Sequence, residues 1–315
     1  MITPREKAII VGAMFGGAKI SQMLGGHTID YSHFQDPLKT WISNNLYISN
    51  DSLEFYNRLY NKFKDGNFPE DYFEKMSPLA LSIWYVATNK LQNVDMSLVP
   101  IIRDIFYKKW SINIGSNHGH GLVCETEEDD INLWLLLKQY ILEIWPSMAP
   151  THLLSVYPRK HKTIYLSGGQ QFSKDGGVSW RAKVTPALYQ HGYDVFNPAY
   201  EGAAVADQFG VNFDQLNLEE YIAAGGLFIE KDLEAIKASD AILTFLDESA
   251  LRGAGTKSEA TIAVDYNIPN YFVLDESIDP RKLPMWLAGC LRDTQYIFWK
   301  NDFETAVAEI VNLLG

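Results

Sequence analysis

Apolar and polar positions follow two different patterns along the chain. Up to about residue 158, apolar residues recur at helical spacing, as in Leu79, Ile83 and Val86, introduced by Ser77 as a candidate N-cap and Pro78 in the first turn. The same spacing predicts helices over 37–48, 52–64, 96–110 and 128–144. Beyond Lys162, short apolar runs alternate with helical segments. Strands are expected over 163–167, 193–197, 241–247, 270–274 and 295–299, and helices near 178–190, 227–238, 256–266 and 303–314. Between the two patterns, Pro146, Pro150 and Pro158 interrupt any helix and the basic stretch Arg159, Lys160, His161, Lys162 follows. The reading is a mostly α-helical domain over 1–158 and an α/β domain over 159–315. The latter is expected to be a five-stranded, flavodoxin-like, doubly wound parallel sheet. Ligands of such sheets sit outside the carboxyl ends of the strands where strand order reverses, which directs attention to the loops after Ser167 and Leu246.

Composition narrows the classes of function. With 315 residues, 47% of them hydrophobic and 13% aromatic, the chain is long enough for two buried cores. No run reaches the roughly 18–20 apolar residues needed to span a bilayer, and the first residues lack the apolar stretch of a secretory signal, so a soluble, cytoplasmic protein is expected. A net charge of -12 argues against a polymeric nucleic acid as partner, since a polyanion binder needs a basic stripe. The two cysteines, Cys124 and Cys290, are too few for a disulfide framework or a four-cysteine zinc site. A small molecule is the expected ligand.

Candidate chemistry gathers in the second half. After the first strand come Ser167, Gly168 and Gly169, whose glycines would let backbone amides approach a ligand, or would simply make a tight turn. After the third strand come Asp247, Ser249, Gly253, Gly255, Thr256, Lys257, Ser258 and Glu259. Glu259 has two readings: a capping box with Thr256 as N-cap, or a nucleophile at the carboxyl edge of a central strand. Asp232 shares a helix face with Ile229, Leu233 and Ile236, as a residue at the stripe's edge or as a second acid. In the first half, His118 and His120 followed by Glu125, Glu127, Glu128, Asp129 and Asp130 read as a glycine-rich loop and an acidic helix start rather than a metal site. Gly12, Gly16, Gly17 and Lys19 lack the spacing of a phosphate loop.

Several segments in order resemble the nucleoside 2-deoxyribosyltransferase family, including its nucleotide N-glycosidase relatives. They are Thr163-Ile164-Tyr165-Leu166-Ser167-Gly168, Trp180-Arg181, Val195-Phe196-Asn197-Pro198, Lys231-Asp232-Leu233 with Ile236 and Asp240, Gly255-Thr256 with Glu259, and Ile268-Pro269. The resemblance covers about 163–300 and implies cleavage or exchange of an N-glycosidic bond in a (deoxy)nucleoside or its 5′-monophosphate. It makes Glu259 the nucleophile at C1′, Asp232 the acid that handles the departing base, and Tyr165 a neighbour of the nucleophile. Ser167, Gly168, Gly169, Arg181, Asn197, Asp247, Gly255, Thr256, Ser258 and Asp293 would contact substrate, Asp293 from a neighbouring subunit of a homo-oligomer. Lys257 and Ser258 are candidates for holding a phosphate at a helix start, with the Ser167–Gly169 loop and Arg181 as further contributors. The partners implied are a nucleoside or nucleotide and an acceptor base, with no cofactor and no metal.

The chain departs from the family six residues before Glu259, where an aspartate or serine is usual and Gly253 stands here. That change motivates an alternative from another class: a nucleotide-binding sensor without turnover, with the helical half as its output. A nicotinamide–ribose bond is a third target class. The sequence assigns no role to the helical half.

Overall fold

The computed structural model describes residues 3–23, 26–46, 76–91, 94, 98–116, 121–150, 153, 157, 160–200, 216–291, 297–299 and 302–315, with only the backbone of residues 4, 20–23, 26–28 and 297–299. It is a mixed α/β protein of two compact units. One comprises Met1–Tyr107, Ile112–Pro150 and Ala203–Ala224, the other Lys108–Ser111, Thr151–Gly202 and Gly225–Gly315. The expected helix over 52–64, His118, His120, Pro158, Arg159 and Asp293 lie outside the described residues.

The first unit contains helices α1 (Pro4–Phe15), α2 (Asp36–Asn45), α3 (Pro78–Ala87), α4 (Val99–Trp110) and α5 (Glu127–Ile144). Two short antiparallel pairs accompany them, β1 (Lys19–Met23) with β2 (Gly26–Asp30) and β3 (Ile114–Ser116) with β4 (Leu122–Cys124). Ser77 caps α3 by accepting from the Ala80 amide at 3.2 Å, as the sequence pattern predicts. Helix α1 and the hairpins are additions to that reading. A Thr3–Glu6 capping box starts α1. Its glycines serve packing: a Cβ on Gly12 would lie 2.5 Å from the Ala80 carbonyl oxygen, and one on Gly16 2.4 Å from the Ala87 Cβ. Spaced one turn apart, they let α1 lie close against α3.

In the second unit a parallel sheet is built from β5 (Thr163–Gly168), β6 (Asp194–Phe196), β7 (Ala241–Leu246), β8 (Asn270–Leu274) and β9 (Ile297–Trp299), in the order β6-β5-β7-β8-β9. Strands β5, β7 and β8 are near-continuous apolar runs with buried side chains, as expected of strands covered on both faces. On one face Ile164, Leu166 and Leu243 pack against α6 (Val178–Gln190) and α11 (Phe303–Leu314). On the other, Tyr165 and Ile242 meet Ile236 of α7 (Leu218–Ala238) and Ala263 of α9 (Gly255–Asp265). Two short helices, α8 (Glu248–Arg252) and α10 (Met285–Leu291), complete this unit.

Helix α7 begins nine residues before the expected start at 227. Asn217 and Glu220 exchange hydrogen bonds there, each amide donating to the other's side chain at 3.0 Å, which starts the helix ahead of the Gly225-Gly226 pair. Its apolar stripe is also less buried than the spacing implies: Ile229 is 61% exposed, and only Ile236 of the three is fully enclosed.

Candidate functional site

The site forms where strand order reverses, between the carboxyl ends of β5 and β7. Alternation along β5 places Tyr165 and Ser167 on one face, the face met by α9, and both side chains are fully buried. Helix α9 delivers Glu259, partly buried, to the same place. The Tyr165 hydroxyl donates to Glu259 Oε1 at 3.0 Å and the Ser167 hydroxyl donates to Oε2 at 2.5 Å. Each carboxylate oxygen is therefore held by one hydroxyl from β5.

This geometry bears on one of the two readings of Glu259, the capping box. No side chain caps α9: its N-cap position is Ala254, and Thr256 is buried inside the first turn. The capping-box reading of Thr256 and Glu259 is corrected accordingly, because the Glu259 oxygens turn inward to β5.

Beneath the carboxylate lies Arg181 of α6, which is completely buried. It donates to the carbonyl oxygens of Leu166, Gly168 and Gly177, the latter two at 2.9 Å, and its guanidinium lies 4.5 Å from the Trp180 ring centroid. Burial pulls its pKa down to about 10, against the charges of Glu259, Tyr165, Asp175 and Asp232. Expected as a substrate contact, Arg181 is instead an internal cation whose donors serve the backbone at the end of β5. Burial likewise raises the Glu259 pKa above the ordinary carboxyl value, opposed by the Ser167 hydrogen bond, the Arg181 charge and the Tyr165 hydrogen bond. The Tyr165 pKa is pushed well up, by burial first and then by the charges of Glu259 and Asp232. Asp232, on the half of α7 that belongs to this unit, is thus close enough to act on both Tyr165 and Arg181.

The other expected residues divide by position. Gly169 is required by packing rather than by ligand approach: a Cβ there would meet Ser249 Oγ at 1.9 Å and the Ala250 nitrogen at 2.6 Å. A Cβ on Gly168 would meet the Trp180 ring at 2.8 Å. Asp247 caps α8, accepting from the Ala250 amide and the Ser249 hydroxyl, both at 2.7 Å. Asp247 Oδ1 and the Ser249 hydroxyl are thus engaged at the start of α8. Asn197, just past β6 and 5% exposed, accepts from the Ala199 amide, and its side-chain nitrogen has no partner among the described residues. Gly255 lies beside the nucleophile candidate, and a Cβ on it would fall 3.9 Å from Glu259 Oε1.

Lys257 and Ser258 project elsewhere. At 100° per residue they share a face of α9 with Ala254 and Thr261, turned away from Glu259. That face borders an open pocket of about 310 Å³ lined by Arg252, Gly253, Ala254, Lys257, Ser258, Thr261 and Trp286. Ser258 donates back to the Ala254 carbonyl and Trp286 donates to Thr261. An anion held there would not share a helix face with Glu259.

Asp175 is a residue that motif reasoning misses. Burial would raise its pKa, but hydrogen bonds from the side chains of Ser173 and Ser179 and the amides of Ser179 and Gly177 outweigh that and hold it at about 2. It shapes the loop between β5 and α6, and the Ser-x-Asp-x-x-x-Ser spacing is its only signal. Among the described residues no three His, Cys, Asp or Glu side chains gather as metal ligands, and no helix is long and apolar enough to cross a membrane. No family model matches the chain, and no curated protein matches its sequence.

Proposed function

We propose that the second unit cleaves or exchanges the N-glycosidic bond of a (deoxy)nucleoside or its 5′-monophosphate through a covalent glycosyl-enzyme on Glu259. The observation that carries this reading is the pair of hydroxyls, Tyr165 and Ser167, that fix both oxygens of a carboxylate at the carboxyl edge of the sheet. A fixed carboxylate can stabilise positive charge as it develops at C1′ and then bond to that carbon. Tyr165 and the buried Arg181 charge favour its ionised form. Asp232 would give the leaving base a proton and take one back from the acceptor. The strand order, second strand outside the first and then third to fifth, fits a flavodoxin-like doubly wound sheet with the ligand crevice at the switch between β5 and β7. A cytoplasmic homo-oligomer acting on a small substrate without metal or cofactor completes the reading.

The test is incubation with individual 2′-deoxyribonucleosides, ribonucleosides and 5′-monophosphates, with and without an acceptor base, followed by chromatography of the bases. Release or exchange of base is expected, and Glu259→Ala should lower it by roughly a thousandfold. Full activity in that variant would show the nucleophile to be another group.

One observation favours a second reading, binding without turnover. Gly253 supplies no acid, and Asp247 and Ser249 are committed to each other and to the cap of α8. Tight nucleotide binding with no base released across the whole panel would select the sensor.

A further inference from the structure

We propose that Ser167 is a positioning residue that sets how readily Glu259 releases a bound sugar. The inference rests on the reading of Glu259 as nucleophile and concerns the second half of the reaction. There an acceptor, either water or a nucleobase nitrogen, bonds to C1′ while the bond from C1′ to the carboxyl oxygen breaks. The electron pair of that bond returns to Glu259, and the acceptor's proton passes to Asp232.

A hydrogen bond to a carboxylate is stronger than one to an ester, because the acceptor is charged. The Ser167 hydroxyl therefore stabilises the free carboxylate over the glycosyl ester and pulls the internal equilibrium toward release. Ser167 is fully buried in β5 and paired in register with Thr244 of β7, so its hydroxyl is held in place by the sheet. Among the described residues no lysine or arginine nitrogen hydrogen-bonds the carboxylate, and the Arg181 donors turn to three backbone carbonyls. The ionisable groups acting on Glu259 are Tyr165 on β5 and Arg181 on α6, and Asp232 on α7 acts in turn on both of those. Of the remaining elements packed on α9, β7 has no ionisable side chain, α8 brings Glu248 and Arg252, and α10 brings Cys290.

The test uses the full chain and two variants, Ser167→Ala and Ser167→Cys, the second conserving bulk with a weaker donor. Each is mixed with 2′-deoxyribonucleosides and their 5′-monophosphates, quenched in acid, and weighed intact to read the fraction of protein carrying a sugar on Glu259. Loss of one hydrogen bond to a charged group should raise the ratio of adduct to free protein roughly tenfold in Ser167→Ala, with Ser167→Cys between it and the wild type. Infrared titration of the ligand-free protein with labelled glutamate gives an independent reading, in which the Glu259 midpoint should rise in Ser167→Ala. An unmoved midpoint overturns the proposal whatever the substrate, and so does a moved midpoint with an unchanged adduct ratio. Failure of the wider reading looks different: Glu259→Ala would then release base as fast as the wild type.

Discussion

The two units bury different things. Among the described residues, the enclosed polar side chains of the first unit are Ser82, Asp129 and Asn132. Ser82 donates to the Pro78 carbonyl within α3, and Asp129 accepts from Asn113 and Thr126 at the start of α5. The second unit encloses Ser167, Arg181, Thr185, Asn197, Ser239, Thr244, Ser249, Thr256 and Asn270, and it holds Tyr165 against a carboxylate as well. Burying polar groups costs stability unless they are paired, and the cluster of Ser167, Tyr165 and Glu259 at the carboxyl end of β5 is where this unit bears that cost around a carboxylate. The first unit is built on carbon contacts, and even its glycines serve helix packing.

Removing the charge at the base of the site should break that comparison most sharply. Arg181→Met leaves three carbonyl oxygens without their donors and Glu259 without its buried counter-charge. A loss of about 3–5 kcal/mol is expected in urea unfolding, together with loss of activity. Leu137→Ala in α5, fully buried in the first unit, should cost a comparable 2–5 kcal/mol, roughly, through the cavity it opens. Turnover per folded molecule should stay unchanged in that variant. Equal damage to activity from both would mean that the helical unit shapes the chemistry.

The glycines sharpen the contrast at lower cost. Gly169→Ala forces a Cβ into Ser249 and Ala250 and should destabilise by about 1–3 kcal/mol. Gly253→Ala meets nothing nearer than 3.7 Å and should stay within about 0.5 kcal/mol of the wild type by calorimetry. If the two variants proved alike, the packing of Gly169 against α8 would not be what requires a glycine there.

How far the sequence leads differs between the units for the same reason. Continuous apolar runs make β5, β7 and β8 legible, and α6 and α11 match to the residue, because strands covered on both faces and their crossover helices leave strong patterns. Glu259, Tyr165 and Asp232 emerge through spacing and resemblance. What escapes are features that depend on three-dimensional neighbours. Ser167 reads as a substrate contact, and nothing local to it announces a carboxylate 92 positions away. Arg181 looks like a phosphate ligand because an arginine in the first turn of a helix usually faces solvent. Helix α1 stays hidden since glycine is a poor helix former and the packing role of Gly12 and Gly16 shows only once α3 is laid beside them. The extension of α7 is masked by Gly225-Gly226, which an isolated helix tolerates poorly.

The finest distinction concerns what Glu259, the proposed nucleophile, costs the fold. Burial raises its pKa above that of the unfolded chain, so the folded state binds the proton more tightly. Stability from this group is therefore present below the ordinary carboxyl range and is lost as pH rises through the unfolded and then the folded midpoint. Glu259→Gln keeps the shape and removes the charge. It should be neutral near pH 4 and raise Tm by a few degrees near pH 8 while abolishing turnover, the exchange expected where a functional group is held against its preference. Scanning calorimetry at the two pH values measures it. A lower Tm near pH 8 would mean that Ser167, Tyr165 and Arg181 more than offset the desolvation of the carboxylate, and the second unit would then gain stability from its chemistry rather than give it up.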